Sequence, residues 1–377
     1  MSLSEATTTA TAVTTGKPLQ YTVVGIHLAG NQTNRSAVVR SSFVTNGIWS
    51  GRSRQPPDAL IQFLAKKFPG LAVYEGVANP SNKLQQAPSP LIIDNFVASL
   101  GPTPSMDADQ RLCQALTDLG KADFYVIDVP FELPPCVLCE LPCPGARSCE
   151  VDEVMRMNNL WMALRKQGRK LRAPLPYVDR YSDFFARQVF EHQAPQLFAE
   201  FESPMGSNRA PLLARSRHIK RWIQNQFKAE SHQVLETQSS ASALSWLAQS
   251  YSDSNFLSQT KPQPDSPSMW PAAQVRREKS GRPIRKSVFD YLAASGRLAL
   301  GANLQPSYAR DLIQPGPFLA AMSALTVRSI AAGEIFFQDE FIHSLFLLGR
   351  QPLLPAALGF FIAGAGSNAA TPERQKQ

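Results

Sequence analysis

Charge is scarce in this sequence. Asp, Glu, Lys and Arg make up 18% of its 377 residues, against roughly 25% in ordinary soluble domains. With 44% apolar residues beside them, the chain is neither a charged coiled coil nor wholly disordered. Its 21 glycines are far too few for a collagen. Long apolar runs are missing too. The best stretch, Leu353 to Ala365, is shorter than the ~18 residues of a membrane span and is broken by Pro355, Gly359 and Gly364. It reads as a buried segment. The first 16 residues, MSLSEATTTATAVTTG, hold no basic n-region and no apolar h-region, so no secretory signal is read there. A soluble, cytoplasmic setting without membrane contact is expected. No internal repeat is visible. Cysteine is nearly absent outside one place, where four of the five lie within 14 residues.

What is present suits a sizeable globular core. At roughly 100–200 residues per domain, the length allows two or three domains, or one large domain with insertions. Such a core needs no disulfides to fold. Thirty prolines, about 8% of the chain, exceed the usual ~5% and point to loop-rich additions. The 38 basic residues outnumber the 30 acidic ones, a net charge of +8. The excess is concentrated. Residues 151–228 carry 14 basic and 7 acidic residues, and residues 276–286 carry 6 and 1. Such a field suits phosphate contact.

The order of elements narrows the fold class. Residues 1–19 read as a disordered tail. YTVVGIHLAG and RSAVVRSSFV, separated by GNQTN, read as a β-hairpin. LAVYEGVAN, residues 71–79, reads as a third strand. Residues 90–119 read as two helical pieces, with Asp107 capping the second. DFYVIDVP, residues 123–130, is a buried central strand by length and apolarity. A Cys/Pro loop spans 131–149. VDEVMRMNNLWMALRKQ is an amphipathic helix with acids first and cations last, and residues 177–230 look mostly helical. Residues 231–287, rich in Ser, Gln and Pro, read as a largely disordered insertion. Residues 288–365 return to helical patterns, and 366–377 form a tail. An antiparallel start followed by a buried central strand and helices predicts an α/β fold with a mixed sheet. Ribonuclease H-like folds are built this way, as are the halves of sugar kinases and actin-like ATPases.

The sharpest chemical signal is CVLCELPCPGARSC. Cys136, Cys139, Cys143 and Cys149 stand at C-x2-C-x3-C-x5-C. Thiolates gathered in a short loop suit tetrahedral Zn²⁺, with an iron–sulfur cluster as the other option. Disulfides are the poorer reading without an export signal. Cys113, in a helical stretch, reads as a small buried apolar residue.

The acids come next. Asp128 ends an apolar strand, where a carboxylate must be paired or metal-bound to be buried, and strand ends face the ligand crevice of open α/β sheets. It is either a divalent-metal ligand or a turn residue before Pro130. Asp339 and Glu340 begin a late helical stretch, either as dipole partners or as metal-binding acids. Glu75 is a further acidic candidate. His27, on the first strand, is either a ligand or a structural residue, and His343 reads as packing. Two basic clusters, Arg165, Lys166, Arg169, Lys170 and Arg172, then Arg209, Arg215, Arg217, Lys220 and Arg221 beside Trp222, suit phosphate contact and base stacking. Equally, each suits a solvated helix face.

Four segments, VVGIHLAG with its hairpin, YVIDVPFELP with the Cys-Pro-Gly segment after it, GSNRAPLLARSRHI and QDEFIHSLFLLG, together resemble an uncharacterised family. Its members are described as predicted nucleases with a ribonuclease H-like fold, known mainly as a domain of unknown function. The resemblance spans about residues 20–350, apart from 231–287. It implies that acids on the first strand, the central strand and the last helix gather a divalent metal, Mg²⁺ or Mn²⁺. Asp128 is then the central-strand acid and Asp339 the last-helix acid. His27 stands where the family pattern has Asp, and His is a poor ligand for Mg²⁺.

The expected function is a metal-dependent, nuclease-like phosphohydrolase acting on nucleic acid. The alternatives are a non-catalytic nucleic-acid or protein-binding module on the same scaffold, and a phosphotransferase of the sugar-kinase or actin-like type. GIHLAGNQTN loosely fits the phosphate hairpin of the last, but no second glycine-rich adenosine motif accompanies it.

Overall fold

A computed structural model describes residues 18–30, 36–45, 48–49, 73–74, 88–166, 172–181, 183–184, 205, 210–230, 233–237, 239–252, 275–305 and 307–331. The expected hairpin is present. Strand β1 (Leu19–His27) pairs antiparallel with β2 (Ser36–Thr45), in a register running from Leu19 opposite Thr45 to His27 opposite Ala37. Two short strands, β3 (Ile48–Trp49) and β4 (Val73–Tyr74), form a separate parallel pair. The expected third strand around residues 71–79 therefore lies outside the main sheet as far as it is described.

Its place beside β2 is taken by β5 (Leu91–Leu100), antiparallel to β2. This corrects the helical reading of residues 90–100. LIIDNFVASL is a ten-residue apolar run, and runs of that length do not distinguish strand from helix by periodicity. The free backbone edge of β2 decides the matter. Strand β6 (Phe124–Ile127) lies parallel to β1 on its other side, β7 (Val234–Glu236) parallel to β6, and β8 (Leu298–Leu300) parallel to β5. The six-stranded mixed sheet runs β7-β6-β1-β2-β5-β8.

The described helices are α1 (Ala108–Leu119), α2 (Asp152–Lys166), α3 (Ala210–Phe227), α4 (Ser239–Ser252), α5 (Arg282–Ala294), α6 (Tyr308–Leu312) and α7 (Pro315–Ala331). Alternation along the strands sorts them into two layers. Val24, Ile26, Tyr125 and Ile127 pack against Leu112 and Leu116 of α1 and Ile219 and Ile223 of α3. Val23, Phe124 and Val126 pack on the opposite face against Trp246 of α4, Val288 of α5 and Phe318 of α7. The fold is α/β, with helices on both faces of the sheet. The stretch read as a disordered insertion supplies β7 and α4, and Trp246 is fully buried in the core. That part of 231–287 is structure, not linker, and residues 253–274 lie outside the described residues.

Helix α1 starts where Asp107 was expected to cap it. The Asp107 carboxylate accepts the backbone N–H groups of Asp109 and Gln110, each at 2.8 Å, and Gln110 Oε1 accepts the Asp107 N–H at 3.0 Å. This reciprocal box satisfies N–H groups that the helix leaves open. Helix α7 lies directly on β1. A Cβ at Gly25 would collide with the Ala320 carbonyl oxygen and sit 2.8 Å from the Ala324 nitrogen. Only glycine permits that approach.

Part of the basic 276–286 segment is also structural. Arg285 is fully buried and donates to the carbonyls of Ile313 and Val275 at 2.6 Å, Arg277 at 2.7 Å and Glu278 at 2.9 Å. Burial, reinforced by Arg282 and opposed by Glu278, brings its pKa down to about 10. Among the described residues no helix is long and apolar enough to cross a membrane.

Candidate functional site

Three parallel strands, β1, β6 and β7, end side by side. Their C-terminal ends carry His27, Asp128 and Glu236. His27 closes β1, and Asp128 follows the last residue of β6. The two side chains meet, His27 Nδ1 against Asp128 Oδ2. The pair is buried, His27 7% exposed and Asp128 1%. The other carboxylate oxygen of Asp128 accepts the Leu28 backbone N–H at 3.0 Å, and the Ser239 hydroxyl, at the start of α4, donates to Oδ2 at 3.4 Å. The Asp128 backbone N–H donates to the Ile26 carbonyl at 3.0 Å, which locks the two strand ends together.

Burial alone would raise the Asp128 pKa. The charge and hydrogen bond of His27, the charge of Arg276 and the Leu28 N–H outweigh it and hold the carboxyl below its ordinary value. Asp128 is therefore an anion at neutral pH. A carboxylate on Nδ1 fixes the tautomer and orientation of an imidazole. No hydrogen bond from a described residue occupies Nε2. This arrangement lets a histidine exchange a proton at Nε2 while the carboxylate supports the imidazolium.

Glu236 is the residue that the sequence reading passed over. The signal was there: VLE is a short apolar run ending in a carboxylate, like FYVID, but it lies in the stretch taken for an insertion. One Glu236 oxygen accepts the Phe131 backbone N–H at 3.0 Å, and the other takes Nη1 of Arg180. Arg180 also grips Asp183 in a fork, Nε at 2.6 Å and Nη2 at 2.9 Å. All three side chains are buried. Burial, with the nearby Asp183 charge, pushes the Glu236 pKa up against the pull of Arg180 and the Phe131 N–H. The two strand-end acids do not converge. Asp128 turns to His27 and Ser239, and Glu236 turns to Phe131 and Arg180.

The expected acidic metal site is only partly assembled. His27 and Asp128 meet, but each occupies the other, and both Asp128 oxygens are hydrogen-bonded within the protein. As described, the pair alone is not an open set of oxygen ligands of the kind Mg²⁺ or Mn²⁺ takes. Asp339 and Glu75 lie outside the described residues, as do Glu340 and His343. Among the described residues, no three His, Cys, Asp or Glu side chains are grouped to hold a metal ion.

The four clustered cysteines are all free, Cys139 and Cys143 exposed and Cys136 and Cys149 half-buried. Burial pushes the Cys136 thiol up, and Cys149, Cys139, Cys143 and Glu153 add to the effect. The Cys136 thiol thus lies within electrostatic reach of the other three, but among the described residues the four are not grouped to hold a metal ion. Cys113 is half-buried against the α1–α3 core, and burial, with Asp109 and Asp107, raises its pKa to about 11.

The basic residues divide by role. Arg215 is partly built into the fold, with Nε on Asp109 and Nη1 donating to the Ala29 carbonyl at 2.5 Å. Lys220 pairs with Glu132 at 3.1 Å and sits 4.0 Å over the Phe131 ring. Arg221 is exposed and Arg217 half-exposed on α3, a helix with no acidic residue. Trp222 packs edge-on against Phe227. Arg165 lies 4.9 Å over the Trp161 ring, and Lys166 and Arg172 are exposed. Arg169, Lys170 and Arg209 lie outside the described residues.

No protein-family model matches this chain, and neither does any curated protein or solved structure.

Proposed function

We propose that this chain is a ribonuclease H-like phosphohydrolase of nucleic acid, with its reaction centre at the C-terminal ends of β1 and β6. Two features support the scaffold reading. Three antiparallel strands are flanked, on the β1 side, by two parallel ones, the arrangement expected of that fold. Helices cover both faces. The contact between His27 and Asp128 carries the functional reading. Two side chains from distant parts of the chain meet at adjacent parallel strand ends, where open α/β sheets place their chemistry.

In this reading Asp128 remains ionised and holds Nδ1 of His27. Nε2 takes a proton from the water that attacks phosphorus. The phosphodiester bond breaks on the far side, and the leaving oxygen takes a proton from solvent and departs with the second strand fragment, while the imidazolium returns its proton to solvent. Arg217 and Arg221 on α3 hold the polyanion. No step is assigned to a divalent ion.

A second reading, a nucleic-acid-binding scaffold without turnover, is favoured by one observation: Asp128 is fully engaged inside the protein and the pair is buried. Incubating labelled single- and double-stranded DNA and RNA with the full chain, in Mg²⁺, in Mn²⁺ and in chelator, separates the two. Cleavage that His27→Ala abolishes supports the first reading. Salt-sensitive binding with no cleavage under any condition supports the second.

A further inference from the structure

The loop that leaves the candidate site has little core of its own. It starts from Val129, Pro130 and Phe131, immediately after Asp128, and runs to the start of α2. Every residue from 137 to 145 is exposed. Leu138 and Leu141 are each 68% exposed, and Val137 is exposed as well. Apolar side chains displayed on so short a loop gain nothing from water. Its ends are nevertheless pinned. The Cys136 N–H donates to the Pro176 carbonyl at 3.1 Å, and Asn158 Nδ2 of α2 donates to the Ala146 carbonyl at 2.7 Å. The loop is therefore a fixed frame around a middle that no core holds.

Four thiols are spread along the loop. Cys136 and Cys149 stand at the two anchored ends, and Cys139 and Cys143 stand in the exposed stretch between them. We infer that Cys136, Cys139, Cys143 and Cys149 form a tetrahedral thiolate site for one zinc ion, and that the ion organises the 136–149 loop. The inference is independent of the roles given to His27 and Asp128.

Three physical points support it. Zinc with four thiolates is a closed, structural donor set, and binding such an ion commonly supplies the ordering energy that a small loop lacks. Cys136 lies within electrostatic reach of the other three thiols, but the four are not grouped to hold an ion in this arrangement, so the loop must close on it. Closure disturbs little, because residues 137–145 bury nothing. Gly145, at φ 91° with no atom within 4 Å of a would-be Cβ, gives the chain a left-handed turn in open space between the third and fourth cysteines. Four thiolates around a divalent ion carry net negative charge. Arg147, between Cys143 and Cys149 and 5.7 Å over the Trp161 ring, supplies a cation next to them. Zinc is preferred to the hard cations because every donor is a soft sulfur.

The test uses the full chain, purified under reducing conditions and analysed for metals, then stripped and titrated with Zn²⁺ and with Co²⁺. The expected result is about one zinc per chain, and a cobalt form with the intense visible bands of tetrahedral thiolate coordination. Cys139→Ser and Cys143→Ser alter exposed residues, so their folding is checked by far-ultraviolet circular dichroism. Each is expected to weaken zinc binding by about 100-fold or more, since losing even an outer partner weakens metal sites by about 10–100-fold. Cys113→Ser, in α1, is expected to bind as the unaltered chain does. Zinc neither present nor taken up, iron with labile sulfide in its place, or folded Cys139→Ser and Cys143→Ser chains that bind zinc unchanged would each overturn the inference.

Discussion

His27 Nδ1 meets Asp128 Oδ2 across 101 residues of sequence, because β1 and β6 are neighbouring parallel strands that end together. The carboxylate is held ionised and the imidazole is held in one orientation.

That contact makes stability depend on pH with a definite sign. The folded-state pKa of Asp128 lies below the ordinary value of 3.8. Its contribution is therefore present above that value and is lost as the pH falls through the lower folded-state value. Asp128→Asn removes a charge-assisted bond, at a cost of about 1.5–3 kcal/mol near neutrality. The gap between wild type and variant, measured by denaturant titration at several pH values, should shrink in acid. A gap that is constant from neutrality to strong acid would contradict the assignment.

The Arg180 network gives the opposite sign. Glu236 has a raised pKa, so its contribution is present below its ordinary value of 4.5 and is lost as the pH rises through the higher folded-state value. Arg180→Met removes the cation that faces two buried carboxylates and should cost about 3–5 kcal/mol. The loss should be larger at neutral pH than in mild acid. Chemical denaturation of the variant at both pH values checks this.

Gly25→Ala tests the packing of α7 on β1. The new methyl must push helix backbone away, since the nearest atoms are the Ala320 carbonyl and the Ala324 nitrogen. Overpacking of this kind costs about 1–3 kcal/mol. A fall in the denaturation midpoint is expected, and an unchanged midpoint would mean that α7 does not lie on β1.

The basic helix separates binding from stability. Arg217→Ala with Arg221→Ala should leave the fold intact and weaken nucleic-acid binding across sequences. The slope of log affinity against log salt should fall by about one for each phosphate that the variant no longer neutralises. Arg215→Ala should act mainly on stability, because its partners are Asp109 and the Ala29 carbonyl. Salt titrations of binding and thermal melts of the same proteins distinguish the two effects.

The hairpin was legible because YTVVGIHLAG and RSAVVRSSFV are long, β-branched and separated by turn chemistry. β6 was legible because a four-residue apolar strand ended in an acid. Asp107 announced α1 by its capping pattern. β5 was not legible: LIIDNFVASL has no decisive period, and its strand state comes from pairing with β2. Glu236 was hidden for a similar reason. Three strand residues carry little pattern of their own, and the Ser- and Gln-rich sequence around VLE masked them. Trp246 shows why composition misled there, since a polar-looking helix can still bury one large aromatic face. The meeting of His27 with Asp128 depends on strand order, which sequence spacing does not encode.

The most direct measurement compares phosphodiester cleavage by wild type, His27→Ala, Asp128→Asn and the double variant, each confirmed folded. The two residues act as one unit in this account. Each single change should therefore remove nearly all the activity, and the double change should remove little more. Wild-type cleavage that survives Asp128→Asn unaltered, or losses that simply multiply in the double variant, would contradict it.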